Sequence, residues 1–311
     1  MADAWVAPDS RPEEAIAPPA PQEPLRRTTH GTAAPAAPLV PVPLRPMTVP
    51  DLLDGSLRIL KLAPGTVVGL TAAVSLPVQL LLGLLTRSTI EDTDFGQVLD
   101  DAFAGSGSTD AGSAVDGAAF VLSLVLDGIV LSLVTAGLTV LVAGWYTGVA
   151  HPAGDLLRLM ARRAVPLAVA WVLVHLAEAV FALGLVVGAL LPMAWFAVVA
   201  PVIACEGVGP WRALRRSASL TRRRLGAVVG ICLAVAFVDV LLSSALTGAG
   251  AFYVALGLPG AWLVNTAIGA AAGLVLTPFV AGVAALLYLD LRVRVEGLDV
   301  ELAARQRFAA A

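Results

Sequence analysis

The sequence predicts an all-α, polytopic helical membrane protein of about six transmembrane helices. Three observations carry that expectation. The chain of 311 residues is 58% hydrophobic and only 14% charged, with a mean hydropathy of +0.85, whereas a soluble domain carries about 25% charged residues. Apolar runs of span length recur along it, each near the roughly 20 residues that a bilayer core requires. Basic residues gather in a few short segments between those runs, the pattern that the positive-inside rule describes.

Residues 1–47 are rich in Pro and Ala, as in "APPAPQEP" and "TAAPAAPLVPVPLRP". Such a composition builds neither helix nor core, so a disordered cytoplasmic tail of polyproline character is expected. The membrane domain is expected over 48–302, with spans near 65–85, 120–146, 165–187, 189–205, 225–246 and 262–289, an acidic outer loop over 87–116, and a cytoplasmic C-terminal tail over 303–311. The third and fourth runs are nearly continuous, and Gly188 and Pro192 bracket the best place for a tight turn between them. The first apolar run begins too far into the chain for a cleavable leader, so the first span is expected to act as an uncleaved anchor.

Charge sets the orientation. The segment 87–116 carries Glu91, Asp92, Asp94, Asp100, Asp101, Asp110 and Asp116 with Arg87 as its sole base. Every other Lys and Arg falls in the tail, at 58–61, 158–163, 212–224 or 292–307. Six spans put all of these on one face, which the positive-inside rule makes cytoplasmic. Merging the third and fourth runs would expose a strong basic cluster outside. The expected location is therefore the bacterial plasma membrane, with both termini in the cytoplasm. Trp145, Tyr146, Trp211 and Tyr288 then fall at inner interfaces, and Trp195, Phe252, Tyr253 and Trp262 at outer ones.

A threefold hairpin repeat is expected. "PDLLDGSLRILKLAPGTVVGL" from Pro50 aligns without gaps on "WRALRRSASLTRRRLGAVVGI" from Trp211, pairing Leu53 with Leu214, Ser56 with Ser217, and Gly65-x-x-x-Gly69 with Gly226-x-x-x-Gly230. A weaker copy, "DLLRLMARRAVPLAV", begins at Asp155. Each unit reads as an amphipathic helix on the inner surface, with Trp211, Leu214 and Ala218 dipping into lipid, followed by a span whose small-residue face admits a neighbouring helix.

Those same stretches carry a family resemblance. "RPMTVPDLLDGSLRIL" (45–60), "EGVGPWRALRRSASLTRRR" (206–224) and "LLYLDLRVRVEGLDVEL" (286–302) make the chain similar to the membrane domain associated with glycerophosphoryl diester phosphodiesterases, in its stand-alone actinobacterial form. The resemblance covers about 45–302 and implies a multi-pass helical domain. In fused members catalysis belongs to a separate barrel with His and acidic metal ligands. This chain has no room for that barrel and only His30, His151 and His175, so the resemblance implies a membrane domain without catalysis.

No Walker, Rossmann, HExxH or GxSxG motif occurs, and no enzyme, metal or cofactor is expected. Cys205 and Cys232 form no metal or disulfide framework and read as small packing residues. The intramembrane polar candidates are His175 and Glu178, three apart on one helix face, with Asp239 and Asp127. An ionisable group at the bilayer centre costs about 2.5–3.5 kcal/mol on insertion scales, so these should face the bundle interior, either as a cation or proton path or as packing contacts. Arg212, Arg215, Arg216, Arg222, Arg223 and Arg224 are candidate contacts for anionic lipid, at about 1 kcal/mol each near a charged surface. The leading expectation is a non-enzymatic scaffold or accessory subunit in envelope or lipid-related processes, with membrane lipid and an unidentified membrane protein as partners and no nucleic acid. The alternative is a small transporter or lipid-translocating protein using His175, Glu178 and Asp239.

Overall fold

The computed structural model describes residues 42–43, 45–92, 111–184, 186–256, 258–302 and 304. The predicted tail up to residue 41, the centre of the acidic loop (93–110) and nearly all of the C-terminal tail lie outside the described residues. Helices dominate: α1 (Val49–Leu62), α2 (Pro64–Leu85), α3 (Arg87–Asp92), α4 (Ala111–Thr147), α5 (Ala153–Gly184), α6 (Leu190–Trp195), α7 (Val199–Glu206), α8 (Pro210–Thr221), α9 (Leu225–Ala255) and α10 (Ala261–Glu296). Among the described residues five helices are long and apolar enough to cross a membrane, namely α2, α4, α5, α9 and α10.

The start of α1 is fixed locally. Thr48 and Asp51 form a reciprocal capping box with Pro50 in the first turn, which satisfies backbone N–H groups that a helix start otherwise leaves unpaired. The helix is amphipathic and buries Leu52, Ser56 and Ile59 against α10. It stops at Ala63, and Pro64 opens α2, because a proline ring disfavours helical geometry in the residue before it. The basic segment from Asp155 behaves differently: it is continuous with the span, so α5 runs unbroken through Pro166.

Over the predicted fourth span the helix is interrupted. Instead of one helix over 189–205, the chain forms a 3-10 turn (Val186–Ala189), α6, a turn at Phe196–Val198, and α7. Gly188 does sit at the reversal: a Cβ there would lie 2.6 Å from the Phe181 carbonyl oxygen, so only glycine permits the approach. Pro192 lies inside α6 and is buried. The broken stretch exposes a main-chain carbonyl at Trp195, and α8 supplies its partners: Ser217 Oγ donates to it at 2.7 Å, and Thr221 Oγ1 lies 3.3 Å away, shared with the Ser217 carbonyl at 3.1 Å.

Packing is concentrated at the end of the molecule where the arginines lie. There the C-terminal parts of α4 and α10 and helix α7 form the centre, with Leu138, Ile203, Leu286 and Tyr288 fully buried, and α1, α8 and the start of α5 around them. The opposite end presents apolar side chains outward, with Leu183 89% and Phe252 64% exposed. An apolar surface of this kind needs lipid rather than water around it.

Three expectations change here. Val42 and Met47, placed in the tail by the sequence, are buried, and Tyr146 Oη donates to the Val42 carbonyl at 2.6 Å. Leu214 packs inside the protein rather than in lipid, together with Ala213, Ser217 and Leu220. At the paired glycines Gly65, Gly69, Gly226 and Gly230 an added Cβ would meet nothing within 4 Å, so their faces are open. Close helix approach uses other glycines: Gly282 lies against Ser56, Gly83 against Thr266 and Gly128 against Trp171.

Candidate functional site

Two polar clusters tie the arginine-rich end together. In the first, Asp290 of α10 is buried and accepts from the Met47 backbone N–H at 2.6 Å and from Arg294 Nε at 2.8 Å, while Arg294 Nη2 donates to the Met47 carbonyl at 2.6 Å. A single acid–arginine pair, one turn apart, thus clamps both backbone groups of the residue that leads into α1. In the second, Arg216 of α8 bridges Glu206 of α7 (3.0 Å) and Glu296 of α10. Arg292 joins Glu296 at 2.9 Å, and Tyr288 Oη donates to Glu206 at 3.2 Å. Asp290, the buried acid of the two clusters, is tolerated because it is paired.

These clusters redistribute the predicted lipid-contact arginines. Arg216 is engaged inside the protein. Arg212, Arg215, Arg222, Arg223 and Arg224 remain exposed, with Arg215 over the Trp211 ring at 5.4 Å.

The intramembrane candidates do not converge on one site. His175 stacks on Trp171 with ring centroids 3.9 Å apart, its Nδ1 3.0 Å from the Trp171 carbonyl oxygen and its Nε2 3.8 Å from Glu178. It lines a cavity of about 200 Å³ among α4, α5 and α7. Asp239 lines a different cavity, of about 340 Å³, among α6, α9 and α10. The two share the walls Leu131, Ala197, Val280 and Ala284, so the turn of the broken segment stands between them. Asp127 lies elsewhere, accepting from Gln79 Nε2 of α2 at 3.0 Å.

Sequence reasoning missed Gln79, Glu206, Tyr288, Asp290, Arg294 and Glu296. Asp290 and Arg294 stand at a spacing that brings side chains together on a helix, and that signal was available. Glu206 and Glu296 each directly precede a glycine, Gly207 and Gly297, that turns the chain out of its helix with positive φ; their common partner Arg216 is a matter of tertiary packing alone. Among the described residues no group of His, Cys, Asp and Glu is placed to hold a metal ion. No protein-family model, curated protein or solved structure matches the chain.

Proposed function

We propose that this is a non-enzymatic integral membrane protein of the bacterial plasma membrane that serves as a scaffold or accessory subunit in envelope or lipid-related processes. The observation that carries the reading is the pair of open glycine faces. Gly65 and Gly69 on α2, and Gly226 and Gly230 on α9, are exposed and touch no side chain of this chain. Small residues four apart on a spanning helix let a second helix approach closely, and within this chain that approach is unused. The partner is a membrane protein helix at each face.

In this reading the broken segment over 186–206 is a sixth crossing, and the chain is three hairpins with the arginine-rich end and both termini in the cytoplasm. Its support is a parallel between two units. Ser56 of α1 donates to the Phe279 carbonyl at 2.6 Å, as Ser217 of α8 does to that of Trp195. Each acceptor precedes a paired acid, Asp290 or Glu206, by the same number of residues. The resemblance to the phosphodiesterase-associated membrane domain fits the same account.

The test is crosslinking with mass spectrometry in native membranes, comparing the parent with Gly65→Leu/Gly69→Leu and Gly226→Leu/Gly230→Leu. The added side chains point into open space, so fold and yield are expected to hold while crosslinks to a second membrane protein vanish. Crosslinks indifferent to both substitutions would refute the reading.

A second reading, a small transporter or lipid-translocating protein, is favoured by the broken segment, since discontinuous helices beside mid-membrane cavities are a transporter device. It uses His175 and Glu178 on one side of the turn and Asp239 on the other. Flux or lipid flipping in proteoliposomes that is lost in Glu178→Gln and Asp239→Asn would establish it.

A further inference from the structure

The α9–α10 seam has a use that the accessory role does not supply. Two cavities open along it. One, of about 200 Å³, lies at the arginine end between Arg224, Val228 and the Asp290–Arg294 pair. The other, of about 340 Å³, runs on to Asp239. Ile231 and Leu287 line both, so the two are consecutive chambers of one groove.

The sequence builds this groove on one stripe of α9. Val228, Ile231, Val235 and Asp239 recur at three- and four-residue spacing, which places them on one face of a helix, and Arg224, the last residue of the 3-10 turn before α9, stands at the mouth. Gly226 and Gly230 project from roughly the opposite face, so the seam and the open glycine surface are separate features. The floor is apolar and buried, made by Val228, Ile231, Val235 and Leu287. Ala227, Ala236 and Ala284 leave the space that larger side chains would fill.

Charge and length identify the occupant. Among the described residues Arg222, Arg223 and Arg224 make no ion pair, and all three are exposed. The acid nearest the mouth, Asp290, is already held by Arg294 and the Met47 N–H, so the mouth is left net positive. From Arg224 to Asp239 the helix rises about 22 Å at about 1.5 Å per residue, against about 15 Å for one leaflet of a roughly 30 Å hydrocarbon core. A cationic mouth above an apolar channel that outlasts a leaflet matches one kind of molecule. We propose that the α9–α10 seam binds a single anionic phospholipid, with its phosphate at Arg224 and one acyl chain laid along Val228, Ile231 and Val235.

Cys232 borders the deeper chamber and serves as the reporter. The full chain with Cys205→Ala is reconstituted in vesicles of phosphatidylcholine alone or with phosphatidylglycerol, and alkylation of Cys232 by N-ethylmaleimide is timed. Phosphatidylglycerol is expected to slow alkylation about fivefold relative to phosphatidylcholine, the ratio corresponding to ~1 kcal/mol for one basic residue at a charged surface. Arg224→Gln is expected to abolish that difference, Ala227→Phe to abolish it by filling the mouth, and Arg212→Gln, on exposed α8, to leave it intact. Equal protection by both lipids overturns the proposal, and so does equal loss in Arg212→Gln and Arg224→Gln, which would mean a diffuse surface field. Cys232 that is shielded in native membranes but alkylated freely in phosphatidylglycerol vesicles also overturns it, in favour of a protein helix in the seam.

Discussion

Asp290 shows how one buried side chain can organise a chain terminus. Its carboxylate accepts the Met47 N–H, and Arg294 is both its counter-ion and the donor to the Met47 carbonyl. Asp290→Ala leaves a guanidinium half-buried without its partner, a change that typically costs about 3–5 kcal/mol. Thermal unfolding of the detergent-solubilised protein should show the loss, and Asp290→Asn, which keeps an acceptor, should lose less. Asp51 gives a pH-dependent counterpart. The Thr48 backbone N–H, then its hydroxyl, hold the exposed Asp51 carboxyl below its ordinary value of 3.8. A depressed folded-state pKa means that the capping contribution is complete above about 3.8 and fades as pH falls below it. Asp51→Asn should therefore flatten part of the stability loss measured between pH 6 and pH 3. Polar residues of this kind were only half legible in the sequence. The Thr48 and Asp51 spacing around Pro50 announces a helix start, but the partner of Asp290 lies more than two hundred residues away at Met47, and no local pattern encodes that.

Elements were legible where polarity alternates with helical period and illegible where every residue is apolar. The amphipathic α1 and α8 stand where their sequences place them. The break at Phe196–Val198 falls in an unbroken apolar run, so hydropathy contains no trace of it; only the hydroxyls of Ser217 and Thr221, which satisfy the Trp195 carbonyl, give it away. The glycine pairs show a related limit: a small-residue pair says that a helix can approach, not which helix does, and no helix of this chain uses these faces. Two predictions belong at this scale. Ser217→Ala combined with Thr221→Val should cost about 1–3 kcal/mol, the usual penalty for an unsatisfied buried polar group, and more than the two single changes together, since either hydroxyl can serve alone; a double-mutant cycle on thermal stability reads this coupling. Gly282→Val should destabilise by about 1–3 kcal/mol through overpacking against Ser56, where a Cβ would already lie 2.6 Å from Oγ, whereas Gly226→Ala should be neutral.

At the scale of the whole molecule, composition alone was enough for the solvent: a chain with 58% hydrophobic residues and five long apolar helices belongs in lipid. What composition could not supply was the division of labour along the membrane normal, with one end packed around Tyr288 and ion pairs and the other presenting bare apolar helices. If the packed, arginine-bearing end faces the cytoplasm, every excursion of the chain away from it must cross the bilayer and return. In a Cys205→Ala, Cys232→Ser background, single cysteines at exposed Arg212 on α8 and exposed Leu258 between α9 and α10 can be probed in intact cells with a membrane-impermeant maleimide. Leu258→Cys should be labelled at once and Arg212→Cys only after permeabilisation. Labelling of Arg212→Cys in intact cells, or of both sites from the same side, would contradict this orientation.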